Sequence, residues 1–132
     1  SMADIIETMK TIPDYIGSNG RTDTEIADAE NALGTVFAPD YKRYLKEVGL
    51  ACFGGHEFTG LTTTERLSVL SVTKQERTAN KQIPESWYVV EQTNYDGIVV
   101  WQAPTGEIYQ SVPGLPGQKI YDSLAEFISS TH

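Results

Sequence analysis

The amino-acid sequence predicts an α+β fold: helices first, then a central antiparallel β-meander, then a C-terminal helix packed on the sheet. Three observations carry this expectation. Apolar residues recur at helical spacing between Ile5 and Val48. Between Trp87 and Val112, β-rich runs are separated by Asp96-Gly97 and by Pro104-Thr105-Gly106, both turn signals. Leu124, Phe127 and Ile128 then restore a helical stripe, and helices segregated around a meander make an α+β domain.

The first helix is expected from Asp4 to about Ile12, with Ile5, Ile6 and Met9 on one side. Pro13 and the Gly17-Ser18-Asn19-Gly20 stretch predict a loop. Thr22 and Glu25 fit a capping box, in which hydroxyl and carboxylate reciprocally satisfy the free N–H groups of a helix start. Ile26, Ala29 and Leu33 form that helix's buried stripe, and Gly34 supplies a left-handed exit. A third helix runs from Pro39, whose missing N–H suits a first turn, to Val48 before Gly49. Tyr41, Tyr44, Leu45 and Val48 form its inner face, with Lys42, Arg43 and Lys46 outside.

From Phe53 to Leu61 a single short strand is expected. Leu67 to Asn80 is ambiguous, since SVLSV alternates like a strand while VTKQERTANK is polar and helix-forming, and a helix over most of it is the favoured reading. Strands follow at Trp87–Gln92, Gly97–Ala103 and Ile108–Val112. A Gly/Pro-rich loop over 113–117 leads to Ile120, and the closing helix runs from Asp122 to Ser129.

The 132 residues, 39 % of them hydrophobic, suit one domain over positions 1–132. Ser1 ahead of Met2 reads as an expression remnant. The single Cys52 excludes an internal disulfide framework and a multi-cysteine zinc site. Eighteen acids against ten bases leave a formal charge of −8, which argues against nucleic acid and suits a basic partner. That charge is uneven: residues 31–81 hold five acids and seven bases, while both flanks are acidic. No apolar run reaches the ~18–20 residues of a membrane span, and SMADIIETMK lacks the pattern of a secretory signal. A cytoplasmic protein, monomeric or weakly dimeric through an exposed strand edge, is the expectation.

Catalytic and metal chemistry is weakly supplied. Cys52 and His56 flank Gly54-Gly55 and could form a thiolate–imidazole pair, yet no signature of a Cys-dependent enzyme surrounds them. His132, at the last position, reads as a frayed end. Asp23, Glu25, Asp28 and Glu30 lack the glycine turn and terminal Glu of a calcium loop, and read as capping and surface acids. The glycines at 54, 55, 114 and 117 sit in no phosphate-binding context. No catalytic residue, metal or cofactor is expected.

The most informative stretch is Glu85 to Tyr109, which interleaves Trp87, Tyr88, Tyr95, Trp101 and Tyr109 with acids and contains no Lys or Arg. In a meander with Val90, Val100 and Ile108 inside, some of these aromatics are left to face outward with the acids. Exposed Tyr and Trp concentrate binding energy, and acids around them steer a basic partner. The alternative is that the aromatics are core and the acids solubilise hairpin tips. The candidate contacts are Glu85, Trp87, Glu91, Tyr95, Asp96 and Glu107.

Glu30, Leu33, Gly34, Pro39, Tyr41, Leu45, Gly49, Gly60 and Leu61 follow, in order, a pattern that resembles the opening signature of the SUKH superfamily. These are bacterial immunity proteins related to the yeast Smi–Knr cell-wall regulators. Ile83-Pro84, Tyr95-Asp96-Gly97, Gly106 to Tyr109 and Ser123 to Ile128 resemble that family's hairpin and closing helix, so the likeness spans roughly residues 22–130. Ala38-Pro39 and Val48-Gly49 depart from the Leu-Pro and Asn-Gly often found there. The matching residues are helix stops, turns and packing aromatics without a catalytic group. The resemblance implies a non-enzymatic antitoxin that binds the C-terminal domain of a cognate polymorphic toxin, commonly a nuclease or deaminase. A regulatory scaffold for a housekeeping protein, as in the fungal relatives, is the alternative it implies.

Overall fold

A computed structural model describes residues 4–130. Helix α1 (Ile5–Thr11) starts at Asp4, whose carboxylate accepts the Ile6 and Glu7 N–H groups. In α2 (Asp23–Leu33) the capping box is closed in both directions, Glu25 N–H to Thr22 Oγ1 at 3.1 Å and Thr22 N–H to Glu25 Oε1 at 2.9 Å. Gly34 ends it at φ 66°, the left-handed conformation that a side chain disfavours. Helix α3 (Pro39–Glu47) buries Tyr41, Tyr44 and Leu45.

Two antiparallel sheets follow. In the first, β1 (Ile16–Gly17), β2 (Ala51–Phe53) and β3 (His56–Glu57) lie in that order. The expected single strand over Phe53–Leu61 is instead a hairpin. Gly54 and Gly55 both take positive φ and form a two-residue turn between Phe53 and its partner His56. The Gly-rich loop also hides β1, because its pairing with Ala51 and Cys52 is a long-range event invisible to local pattern.

A short 3₁₀ turn at Glu65–Leu67 leads into α4 (Val69–Ala79). The second sheet has strand order β4 (Tyr88–Gln92), β5 (Val99–Gln102), β6 (Ile108–Ser111), β7 (Gln118–Tyr121), and α5 (Leu124–Ser130) closes the chain. Strand β7, read from sequence as the end of a loop, is an edge strand with a polar, exposed Gln118-Lys119 start.

The main core lies between the helices and one face of this sheet. Phe37 meets Tyr88 edge-on at 4.9 Å, Tyr41 packs at 5.0 Å from Tyr88, and Phe58 stacks on Phe127 at 5.8 Å. Such aromatic pairs each contribute about 0.5–1.5 kcal/mol beyond their burial. Helix α4 packs on β4, and a second cluster of Val72, Ile83, Val89, Val99 and Trp101 fills the other face. The one-sided meander expected from sequence is thus corrected: β4 and β5 are buried on both faces.

Buried polar groups tie the layers together. Tyr88 Oη accepts the Ala38 N–H at 2.8 Å and donates to Gln102 Oε1 at 2.6 Å. The Gln102 amide donates to Asp40, whose carboxylate also accepts the Tyr41 and Leu124 N–H groups. One carboxylate on α3 therefore holds β5 and the first amide of α5. The basic face of α3 does likewise outside: Lys42 pairs with Glu30, Arg43 with Asp4 and Glu47, and Lys46 with Asp23. Folding brings the positive middle of the chain against its acidic start.

Candidate functional site

The six candidate contacts do not share one surface. Glu91 is a correction, since it is only 6 % exposed. A β-bulge between Val89 and Glu91 breaks the alternation, so that Glu91 pairs with Val100 and turns to the core side. There its carboxylate meets His56 Nδ1 at 2.9 and 3.2 Å and accepts the Glu57 N–H at 3.2 Å. That hydrogen bond raises the His56 pKa above the usual imidazole value, against the opposing effect of burial.

Trp87 is half-buried. Its ring stacks on Tyr109 at 3.9 Å, and a Cβ on Gly117 would come within 2.4 Å of it. It roofs the second cluster rather than projecting to a partner. Trp101 and Tyr88 are fully buried, and Trp101 Nε1 donates to Ser111 Oγ at 2.8 Å. For these residues the core alternative holds.

Glu85 is exposed, but Lys74, Arg77 and Lys81 of α4 and its exit line the same 270 Å³ recess. A stretch without bases in sequence therefore meets bases in space. Arg77 is itself committed: it donates to the carbonyls of Trp87 and Leu33, tying α4 to the C-terminal end of α2. Burial lowers its pKa. Glu107 lies in the β5–β6 turn, accepts from Thr105 Oγ1, and is thereby held below the usual carboxylate range.

Tyr95 and Asp96 occupy the β4–β5 turn at the other end of β5 from Glu107. Asn94, Asp96 and Gly97 all take positive φ there, which turns the Tyr95 side chain outward at 68 % exposure. The β6–β7 turn lies alongside, since a Cβ on Gly97 would sit 2.8 Å from the Pro113 ring. That neighbour exposes Val112 and Leu115, and Asn80 and Gln82 anchor its carbonyls. Tyr95, Asp96, Val112 and Leu115 thus gather at one end of the sheet. Val112 and Leu115 were missed from sequence because only the meander's topology brings alternate turns together.

The conceivable Cys52–His56 pair is separated by the pleat. Cys52 pairs with Glu57 and Ile16, whereas His56 pairs with Phe53 and faces Glu91, so thiol and imidazole lie on opposite faces. Three of the α2 acids have structural partners, Asp23 with Lys46, Glu25 in the cap, and Glu30 with Lys42 and the Phe37 N–H, whereas Asp28 is exposed without one among the described residues. Among the described residues no group of three His, Cys, Asp or Glu converges as metal ligands, and no helix is long and apolar enough to cross a membrane. His132 lies outside the described residues.

A family model, SUKH_5, described as SMI1-KNR4 cell-wall, matches residues 2–131. The chain belongs to the SMI1-KNR4 (SUKH) family. No curated protein matches it. Among the described residues the SUKH chain has five α-helices and two antiparallel sheets, consistent with the family fold, and its family is of the immunity-protein type. The SUKH signature residues Gly34, Pro39, Tyr41, Leu45 and Gly49 are the stop, start and inner stripe of α2 and α3.

Proposed function

We propose that this SUKH protein is a non-enzymatic immunity module that binds and neutralises a cognate protein toxin domain, a nuclease or deaminase, in the cytoplasm. The observation that carries the reading is the exposed Tyr95 beside Asp96, flanked by Val112 and Leu115, on a chain of charge −8. A large exposed aromatic with an apolar surround is the composition of an interface centre, and an acidic chain favours a basic, phosphate-attracting partner. A standard interface needs ~800 Å² per side, which a domain of this size can present. Of the six candidates, Tyr95 and Asp96 form the centre. Glu85 and Glu107 lie outside it, Trp87 stacks on Tyr109, and Glu91 is taken up by His56.

The test is binding and growth rescue with the toxin domain encoded beside the gene. Tyr95→Ala is expected to weaken binding by about 2 kcal/mol, roughly 30-fold, as an interface anchor does. Asp96→Asn, which keeps a residue tolerant of positive φ, is expected to slow association at low salt. Full affinity in both variants refutes this surface. The cell-wall wording of the family description favours a second reading, a scaffold for a housekeeping protein. A gene with no toxin gene beside it, whose product recovers only housekeeping proteins, selects that reading.

A further inference from the structure

A cleft beside α2 is lined by none of the residues of the Tyr95 surface. It measures about 680 Å³, within the range of ligand clefts, and runs between α2 and the segment from Leu61 to Leu70. Its α2 wall is Glu25, Asp28, Ala29 and Ala32, a second stripe at i, i+3, i+4 and i+7 beside the buried stripe of Ile26, Ala29 and Leu33. Ala29 and Ala32 open the cleft, because longer side chains at those positions would fill it. Leu61 and Leu70, both half-buried, supply the apolar wall opposite.

The charges in this cleft are not balanced alike. Arg21 is the base in the lining: Nε donates to Leu61 O at 2.9 Å, another nitrogen donates to Asn19 O, and its positive charge acts on Glu25. Glu25 is ionised and occupied by its cap, and the Thr22 N–H holds its pKa down. Asp28 differs. It is exposed on the wall and, among the described residues, has neither hydrogen-bond nor ion-pair partner.

We infer that this cleft takes a basic loop of the protein partner, with an Arg or Lys stem laid on Ala32, Leu61 and Leu70 and its cationic head at Asp28. Long basic side chains combine an apolar stem with a charged tip, and the cleft offers a surface for each part. The unpaired Asp28 gains a partner without breaking any interaction of the free protein. This inference rests on the binding-module reading and adds a second, electrostatic contact to the Tyr95 surface.

Two variants test it against the purified toxin domain encoded beside the gene, by titration at low and raised salt. Asp28→Asn keeps the shape and removes the charge; affinity is expected to fall about tenfold at low salt and the salt dependence to flatten. Ala32→Arg places a guanidinium one turn after Asp28, in the favourable acid-before-base order, so the cleft is filled from within. Its affinity is expected to fall more than tenfold, while its thermal unfolding stays at or above the wild-type temperature. Wild-type affinity in both variants, with the wild type binding, overturns the cleft contact and leaves the module reading standing. A wild type that does not bind the toxin domain overturns both.

Discussion

Asp40→Asn is the substitution that tests the architecture most directly. The Asp40 side chain is nearly buried, at 5 % exposure. Oδ1 accepts from the Tyr41 N–H at 2.8 Å and Gln102 Nε2 at 2.9 Å, and Oδ2 from the Leu124 N–H at 3.0 Å. Asparagine has the same shape but one acceptor atom. With its oxygen kept at the Oδ1 position, its amide nitrogen faces the Leu124 N–H, and a donor at the start of α5 loses its acceptor. An unsatisfied buried donor costs about 1–3 kcal/mol, and the two remaining bonds each lose about 1 kcal/mol on becoming neutral. Relief from burying a carboxylate offsets part of this. The expected net loss is about 2–4 kcal/mol, or a fall in Tm of roughly 8–15 °C for a chain of this length. Urea unfolding gives the first number and a thermal scan the second. Hydrogen exchange locates the effect: the α5 amides, Leu124 first, are expected to lose protection before those of β5. A variant as stable as the wild type, with Leu124 still protected, would refute the argument that Asp40 docks α5.

Three further outcomes are expected from the same packing. His56 has a folded-state pKa raised by Glu91, so its contribution is fully present below the unfolded value near 6.5 and is lost as pH rises through the folded value. The stability difference between wild type and Glu91→Gln is therefore expected to be larger at pH 5.5 than at pH 8.5, and a difference independent of pH would show that the pair carries no such linkage. In Gly60→Ala the new Cβ would stand 2.0 Å from the Gly49 carbonyl oxygen, backbone against backbone, so a loss of about 2 kcal/mol or more is expected by denaturant titration. Thr22→Ala removes one arm of the capping box, and a loss of about 1 kcal/mol is expected in the same assay, with unchanged stability counting against the cap.

The helices were legible because their signals are local. Thr22, Glu25 and Gly34 act within one or two turns of their own backbone, and Pro39, Tyr41, Tyr44 and Leu45 define a stripe that any helix must bury somewhere. The hairpin at Asp96-Gly97 was legible for the same reason. The elements that were misread are those defined by a distant partner. Strand β1 exists because Ala51 and Cys52 arrive beside it, and β7 because β6 lends its free edge. Neither carries a periodic apolar pattern of its own.

The candidate surface divides along that line. Sequence alone determined that the chain is acidic, that its Trp and Tyr residues gather between Trp87 and Tyr109, and that its glycine, proline and tyrosine spacing is that of the SUKH family. Only tertiary structure decided which of those groups meet water. One bulge moved Glu91 inward to His56, α4 covered the face that held Trp101, and alternate turns of the meander brought Val112 and Leu115 to Tyr95. Residue type sets what a side chain can do to a partner, but exposure depends on which element packs over it, and that is fixed by contacts between residues far apart in the chain.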